Sequence, residues 1–420
     1  MSVELNSNST IGQVLVIGYV WPEPNSSAAG SHMLSFLKLF VKQGWQVTFA
    51  SPAQLGEHKI DLTELGIEEE VIALNCSSFD EFIRQLNPDL VLFDRFMLEE
   101  QFAWRVAQQC PNAMRILDTE DLHSLRHARQ QAHKQNRQVT KHDLHSDLAL
   151  REIASIYRCD LSLIISDYEL ALLQNEYSVP EYLLHHCPFM LDLESLHTNP
   201  PQAEWQHRQH FISVGNFRHA PNWDAVLWLK QEIWPLIRKE LPQAELHIYG
   251  AYPPPKATQL HNPKQGFLVK GWTPDAKQVM SQARVCLAPL RFGAGIKGKL
   301  AEAMLCGTPN VTTAIGSEGM HQNLPWSGEI ADSAEQFATL AVALYQNQDR
   351  WQDLQQQGYT LLRQIFDQDI LQSKLSQKII QIKQGLREHR LQNFVGSMLQ
   401  HHQHKSTQYM AQWIEAKNKC

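Results

Sequence analysis

Apolar residues in this chain come in short runs of strand length. Between them lie stretches in which apolar positions recur every three or four residues. Residues 14–18 (VLVIG) are an unbroken apolar run, the pattern of a strand buried on both faces. Residues 19–30, rich in Pro, Asn, Ser and Gly, predict a loop, 31–42 a helix stopped by Gly44, and 45–50 a second strand. Strand, loop, helix and strand in this order open a doubly wound parallel sheet, whose ligands sit at the carboxyl ends of its strands. The alternation continues with strands expected at 71–74, 90–93, 113–117, 161–165 and 182–185, and helices at 78–86, 99–108, 148–157 and 167–176. Residues 188–206 carry Pro200 and Pro201 and read as a linker. The theme then restarts, with strands at 211–214, 244–249, 267–270, 285–288, 310–313 and 328–330. Helices are expected at 223–240, 274–283, 299–305, 333–346, 350–366 and 369–390. The expected fold class is therefore α/β, with two Rossmann-like doubly wound domains facing each other across a cleft and a helical C-terminal tail. The division is 1–12 as a disordered N-terminus, 13–190 as the first domain, 191–208 as linker, 209–366 as the second domain and 367–420 as helices. Those last helices return to the first domain or form an interface.

A chain of 420 residues has room for two or three domains with large cores. Its 43% hydrophobic and 19% charged residues are those of a soluble globular protein. The net charge of −7 argues against general nucleic-acid binding. No apolar run is long enough to predict a membrane span. The opening MSVELNSNSTIGQ lacks the charged and apolar regions of a signal peptide. The seven cysteines form no CxxC pair, which fits reduced thiols in the cytoplasm rather than disulfides or a zinc site. The cluster His401-His402-Gln403-His404 reads as a solvated helix face, because adjacent helical side chains point in different directions.

The stretch with the most chemistry is 289–319, PLRFGAGIKGKLAEAMLCGTPNVTTAIGSEG. A strand runs into a turn with Gly293, Gly295 and Gly298, then a helix, then a strand. Such a corner offers backbone N–H groups and a positive helix end to an anion. Lys297 and Lys299 stand at the corner, and Glu302 lies one turn into the helix. This combination suits a ligand carrying both phosphate and sugar hydroxyls. The glycine spacing matches a dinucleotide fingerprint formally, but no acid follows at a second strand end as that fingerprint requires. Asp94-Arg95-Phe96 lies past one strand end in the first half, and the run 118–126 past the next. The latter holds Asp118, Glu120, Asp121, His123 and Arg126. A helix start accounts for the acids but not for His123. Arg126, Arg129, Lys134, Arg137 and Lys141 read as a solvated helix or loop, with contact to an anionic acceptor as the alternative. In 387–420, Leu391, Phe394, Val395, Met398 and Leu399, then Tyr409, Met410, Trp413 and Ile414, recur at helical spacing on a net basic segment. Two amphipathic helices are expected, packing on the chain's own surface, joining a homodimer or touching a membrane surface.

These residues carry a resemblance. Residues 209–366 resemble the donor-binding half of the GT4-like retaining glycosyltransferases, glycosyl transferases group 1, which have the GT-B architecture. The matching segments are VGNFRHAPNWDAVLWL, APLRFGAGIKGKLAEAMLCGTPNVTT and the EGM that follows; DRFMLEEQFAWRV, DTEDLHSLR and REIASIYRCDLSLIISDYE extend the likeness, to about residues 13–380 in all. The resemblance implies sugar transfer from a nucleotide-sugar to a glycan, lipid-linked or other glycoconjugate acceptor with retained configuration, in cell-surface polysaccharide biosynthesis. It implies no metal and no cofactor, with the nucleotide-sugar as donor substrate and nucleic acid excluded as partner. Gly293, Gly295, Ile296 and Lys297 would form the diphosphate turn, Gly215 and Arg218 the first loop of the donor domain, and Glu302 the ribose ligand. His123, Arg218 and Lys297 form the implied catalytic set, and Gly30, Arg95, Asp121 and His123 the acceptor side. The implied location is the cytoplasm, extending to the inner face of the membrane. One departure stands out: eight residues before Glu302, where many relatives carry a glutamate that contacts the sugar, this chain has Ala294. Sugar recognition then falls to other groups, such as backbone N–H around 292–293 or His123. A GT-B protein that binds nucleotide or sugar without turnover is the alternative, and a nucleotide-sugar epimerase a further one.

Overall fold

A computed structural model describes residues 11–194, 196 and 205–418, without the side chains of 402–404. Residues 1–10 of the expected disordered segment 1–12, most of the expected linker, the side chains of His402 and His404, and Cys420 fall outside what is described. The first sheet contains β1 (Gln13–Ile17), β2 (Gln46–Ser51), β3 (Glu68–Val71), β4 (Leu90–Asp94), β5 (Met114–Asp118), β6 (Leu161–Ile164) and β7 (Leu184–His186). Their order is β3-β2-β1-β4-β5-β6-β7, with every pair parallel. The second contains β8 (Gln209–Val214), β9 (Leu246–Tyr249), β10 (Phe267–Gly271), β11 (Ala283–Ala288), β12 (Asn310–Thr312) and β13 (Gly328–Ile330). Its order is β10-β9-β8-β11-β12-β13, again parallel throughout. Each sheet reverses its winding once, between β1 and β4 and between β8 and β11. That reversal opens a crevice outside the carboxyl ends of the strands.

The central strands are the apolar runs of the sequence. β4 is buried along its whole length, as expected for a parallel strand covered by helices on both faces. The third strand departs from expectation: it spans Glu68–Val71, not 71–74. It is an edge strand with largely exposed Glu-Glu-Glu-Val side chains, so no apolar pattern marks it. The helix expected at 223–240 is also interrupted. Ala220–Trp228 and Trp234–Glu240 are joined by a π-turn over Leu229–Ile233. Pro235 lacks an N–H and clashes with a regular preceding turn, and the wider turn accommodates it.

The chain crosses back after the second domain. The Gln348–Ile365 helix packs on the second domain, where Trp351 and Leu354 join its core. Asp367 caps the next helix, Gln368–Gln384, and pairs with Leu191. Leu375, Ile379 and Ile382 of that helix enter the first domain's core beside Phe40 and Trp45. Leu386–Gln392 and Phe394–Asn418 follow, both on the first domain. There Arg390 binds Asp160 and the carbonyls of Pro111 and Ala113, Gln400 donates to the Arg158 carbonyl at 2.9 Å, and Ser77 donates to Glu415. Of the described residues, no helix is long and apolar enough to cross a membrane. The six cysteines among them are buried and none is in a disulfide.

Candidate functional site

The carboxyl ends of the two sheets face each other across a cleft of about 1170 Å³. On the second-domain wall, β11 ends at Ala288 and the chain turns through 289–297 into the Gly298–Leu305 helix. Gly295 makes that turn with φ +63°, and a Cβ there would lie 2.8 Å from the Asp121 Cβ across the cleft. Glycine is thus required twice, by conformation and by close approach. Gly298, at the helix start, leaves no room for a Cβ against Ala28 of the first domain.

Two lysines crowd this corner. The Lys297 ammonium donates to the Gly295 carbonyl at 2.6 Å, and that of Lys299 to Asn222 Oδ1 at 2.8 Å. Burial lowers the pKa of each to about 8. Glu302 lines the same wall, half-buried, and burial raises its carboxyl above the ordinary value. Gly215 follows β8, and a Cβ there would press within 2.8 Å of the Lys299 Nζ. Arg218, on the loop after β8, is exposed and stacks its guanidinium 3.6 Å from the centre of the Tyr252 ring. The Tyr252 hydroxyl in turn donates to Glu23 of the first domain.

The opposite wall comes from the loop after β5. Glu152 accepts from the backbone N–H of His123 at 2.8 Å and of Ser124 at 3.0 Å, satisfying the start of the His123–Lys134 helix. His123 is held edge-on to Phe96, and its Nε2 lies 3.5 Å from Asp121 Oδ1. Burial lowers its pKa to about 4, against the pull of Asp121, so the imidazole is neutral at pH 7. Burial would raise the Asp121 carboxyl, but the Arg126 ion pair and His123 outweigh it and hold it low. Arg95 begins the Phe96–Gln109 helix, lies over the Tyr19 ring and reaches Asp94 at 3.3 Å.

His123, Arg218, Lys297, Gly215, Gly293, Gly295, Ile296, Glu302, Arg95 and Asp121 all line this one cleft. Gly30 does not: it is buried inside the Ala28–Lys42 helix, where a Cβ would meet the Glu23 backbone at 2.6 Å. Ala294 lines the cleft and presents only a methyl group.

Arg129, which the sequence placed in a solvated run, and Glu318 and Glu169, which it did not single out, tie the walls together. Arg129 is buried; it donates to the Gly293 carbonyl at 2.9 Å and forms a two-pronged pair with Glu318 at 2.6 and 2.8 Å. The expectation of a solvated charge run is corrected for this residue, whereas Lys134, Arg137 and Lys141 are exposed as expected. In the helix, Leu125, Ala128, Arg129 and Ala132 share the buried face, so spacing alone distinguished Arg129 from its charged neighbours. Glu169 accepts from Leu122 N of its own domain and from Gly295 N of the other, both at 2.9 Å. Burial first, then Asp121, raises its pKa to about 7.

Residues 208–347 match the family model described as glycosyl transferases group 1. Among solved structures, the chain is similar to sucrose-phosphate synthase from Thermosynechococcus elongatus, with TM-score 0.64 and 16% identity over 88% of this chain and 98% of that one. It is similar to Anabaena Alr3699/HepE in complex with UDP, with TM-score 0.65 and 12% identity over 88% and 99% of the two chains. WaaG, a glycosyltransferase involved in lipopolysaccharide biosynthesis, gives TM-score 0.58 and 12% identity over 86% and 98%. At such identities the likeness is one of fold. No curated protein sequence matches the chain. Two parallel sheets wound in the same order, a lysine-bearing glycine turn between them and the matched segment lead to one statement: residues 208–347 are similar to glycosyl transferases group 1, and the chain as a whole has the GT-B fold.

Proposed function

We propose that the protein is a GT4-like retaining glycosyltransferase that moves a sugar from a nucleotide-sugar to a glycan, lipid-linked or other glycoconjugate acceptor in cell-surface polysaccharide biosynthesis. The observation that carries this reading is the opposition of two walls in one cleft: Lys297, Lys299 and Glu302 on the second domain, Asp121 and His123 on the first. A carboxylate accepts two hydrogen bonds from a vicinal diol, which suits Glu302 to a ribose. Negative charge grows on the phosphate oxygen as the sugar leaves, and Lys297, Lys299 and Arg218 stand where a diphosphate would lie along the glycine turn. These cations serve in place of a metal at the diphosphate, and no cofactor is required. His123, neutral at pH 7, presents a hydrogen-bonding group rather than a charge to the sugar or the acceptor. Arg95 and Asp121 shape the same side. In the front-side course, the departing phosphate takes the acceptor proton, so no enzymatic base is needed at the anomeric carbon. Work at the inner face of the membrane belongs to this reading, supported by the exposed Phe394, Met398, Tyr409 and Trp413 of the last helix.

Incubation with UDP-, GDP-, ADP- and TDP-sugars, with and without glycan acceptors, tests the proposal. Release of nucleoside diphosphate from one donor class, with the α or β configuration kept in the product, is the expected result. Tight binding with no release from any donor would favour the reading without turnover, for which Ala294 is the motive.

A further inference from the structure

We propose that Asp94, Asp118 and Glu120 hold a hard divalent cation of the Mg²⁺ or Ca²⁺ class at the carboxyl ends of β4 and β5. Asp94 and Asp118 are direct neighbours across the parallel pair. Glu120 follows in a left-handed turn with φ +58°. One carboxylate oxygen from each of the three lies within 4.8 Å of the other two. The residues are 4%, 1% and 8% exposed. Hydrogen bonding accounts for only part of the group. Asp94 Oδ2 accepts from Tyr19 N at 2.9 Å and from Arg95 at 3.3 Å, and Asp118 Oδ1 accepts from Glu120 N at 3.2 Å. Asp94 Oδ1 and Asp118 Oδ2 are buried with no partner. Unpaired carboxylate oxygens are costly in a dry interior, and natural sites relieve them with a hydrogen bond, a proton or an ion.

Charge and ligand type both favour the ion. Three carboxylates face one guanidinium, that of Arg95, so a divalent cation balances the group. The nearby Arg126 is engaged by Asp121. The donor set is all oxygen, which suits Mg²⁺, Ca²⁺ or Mn²⁺ and, with no His or Cys in it, disfavours zinc. Glu120 lines the cleft, which supplies an entry path and room for water to complete the coordination. The cation would lie under the first-domain wall, not at the glycine turn. By fixing Glu120 it would fix the loop that carries Asp121 and His123. The inference rests on these three side chains and stands apart from the glycosyl-transfer reading.

The test uses the full chain without nucleotide, because phosphates bind the same ions. MnCl₂ is titrated and free Mn²⁺ followed by electron paramagnetic resonance. The wild-type chain is expected to take up a single Mn²⁺, displaced by Ca²⁺ or Mg²⁺. Asp118→Asn and Glu120→Gln should each weaken uptake at least about tenfold. CaCl₂ should raise the melting temperature of the wild type and leave that of Asp118→Asn unchanged. If Asp118→Asn does not fold, Glu120→Gln, at the cleft surface, decides. No uptake by the wild type at millimolar Mn²⁺ would mean that a shared proton relieves the cluster, and would overturn the proposal. So would uptake that both variants retain.

Discussion

Glu302 and Lys297 lie little more than a turn apart at one helix start, and burial works against the charge of both. Each regains its charged form most readily when a ligand supplies what water no longer does. In the proposed function Glu302 meets a pair of ribose hydroxyls, so Glu302→Ala should weaken nucleoside diphosphate binding by about 1.5–3 kcal/mol, the scale of hydrogen bonds to a charged group. Calorimetry with unchanged affinity would remove Glu302 from the ribose. The lysines meet an anion in the same reading. With Lys297 and Lys299 lowered to about 8, the free cleft loses positive charge as pH rises through 8. A bound diphosphate favours the ammonium forms and restores them. Binding at pH 8.5 should therefore take up protons, binding at pH 6.5 should not, and affinity should fall as pH rises through 8. Calorimetry in buffers of different ionisation enthalpy reads this directly. Lys297→Ala should reduce the uptake and lower turnover while leaving the melting temperature near that of the wild type. A sharp loss of stability would instead make the lysine a structural group.

At the scale of elements, the question is what holds the two walls together. The His123–Lys134 helix reaches the second domain through Arg129, which bonds both the glycine turn and Glu318. Arg129→Ala removes both ties at once and leaves Glu318 with a half-buried, unpaired carboxylate. A stability cost of about 1–3 kcal/mol is expected. The unliganded variant should also show a larger radius of gyration by small-angle scattering; an unchanged profile would mean that the remaining ties, among them Glu169 to Gly295, Tyr252 to Glu23 and Trp272 to Asn25, hold the closure. These ties also mark where sequence reading stopped. The central strands and the glycine corner were legible because a doubly covered strand and a glycine-rich strand-to-helix turn write themselves in adjacent residues. The edge strand Glu68–Val71 was not, since half-exposed glutamates leave no apolar run. The roles of Arg129, read as solvated, and of Glu169 and Glu318 were not legible either. Each acts on a partner more than a hundred residues away, and nothing local states which charged residue will meet it. Gly30 failed in the opposite way: its glycine serves close packing on Glu23, which is invisible until the loop is folded.

At the scale of the molecule, the chain ends on the domain where it began. The Gln368–Gln384 helix completes the first domain's core, so a cut there would expose Leu375, Ile379 and Ile382. The segment from Leu386 onward is attached differently, through a few directed bonds. Its anchor is Arg390 on Asp160, a carboxylate only 3% exposed. Burial would raise that carboxyl, but Arg390 and Arg115 outweigh it and lower its pKa. The sign follows: a depressed carboxylate stabilises the fold above its unfolded pKa, and the contribution is lost as pH falls through the folded value. Truncation after residue 385 leaves Asp160 with Arg115 alone and uncovers the Phe96–Gln109 and Asp147–Arg158 helices. Asp160 keeps Arg115, so losing the Arg390 bonds to this carboxylate costs about 1.5–3 kcal/mol, the scale of hydrogen bonds to a charged group. The truncated protein should therefore melt well below the full chain at pH 7, with the gap narrowing in acid as Asp160 protonates in both. Arg390→Ala in the full chain separates the two causes. If it reproduces most of the loss, the pair is the anchor; if it melts like the wild type while the truncation does not, the covered helix faces carry the stability instead.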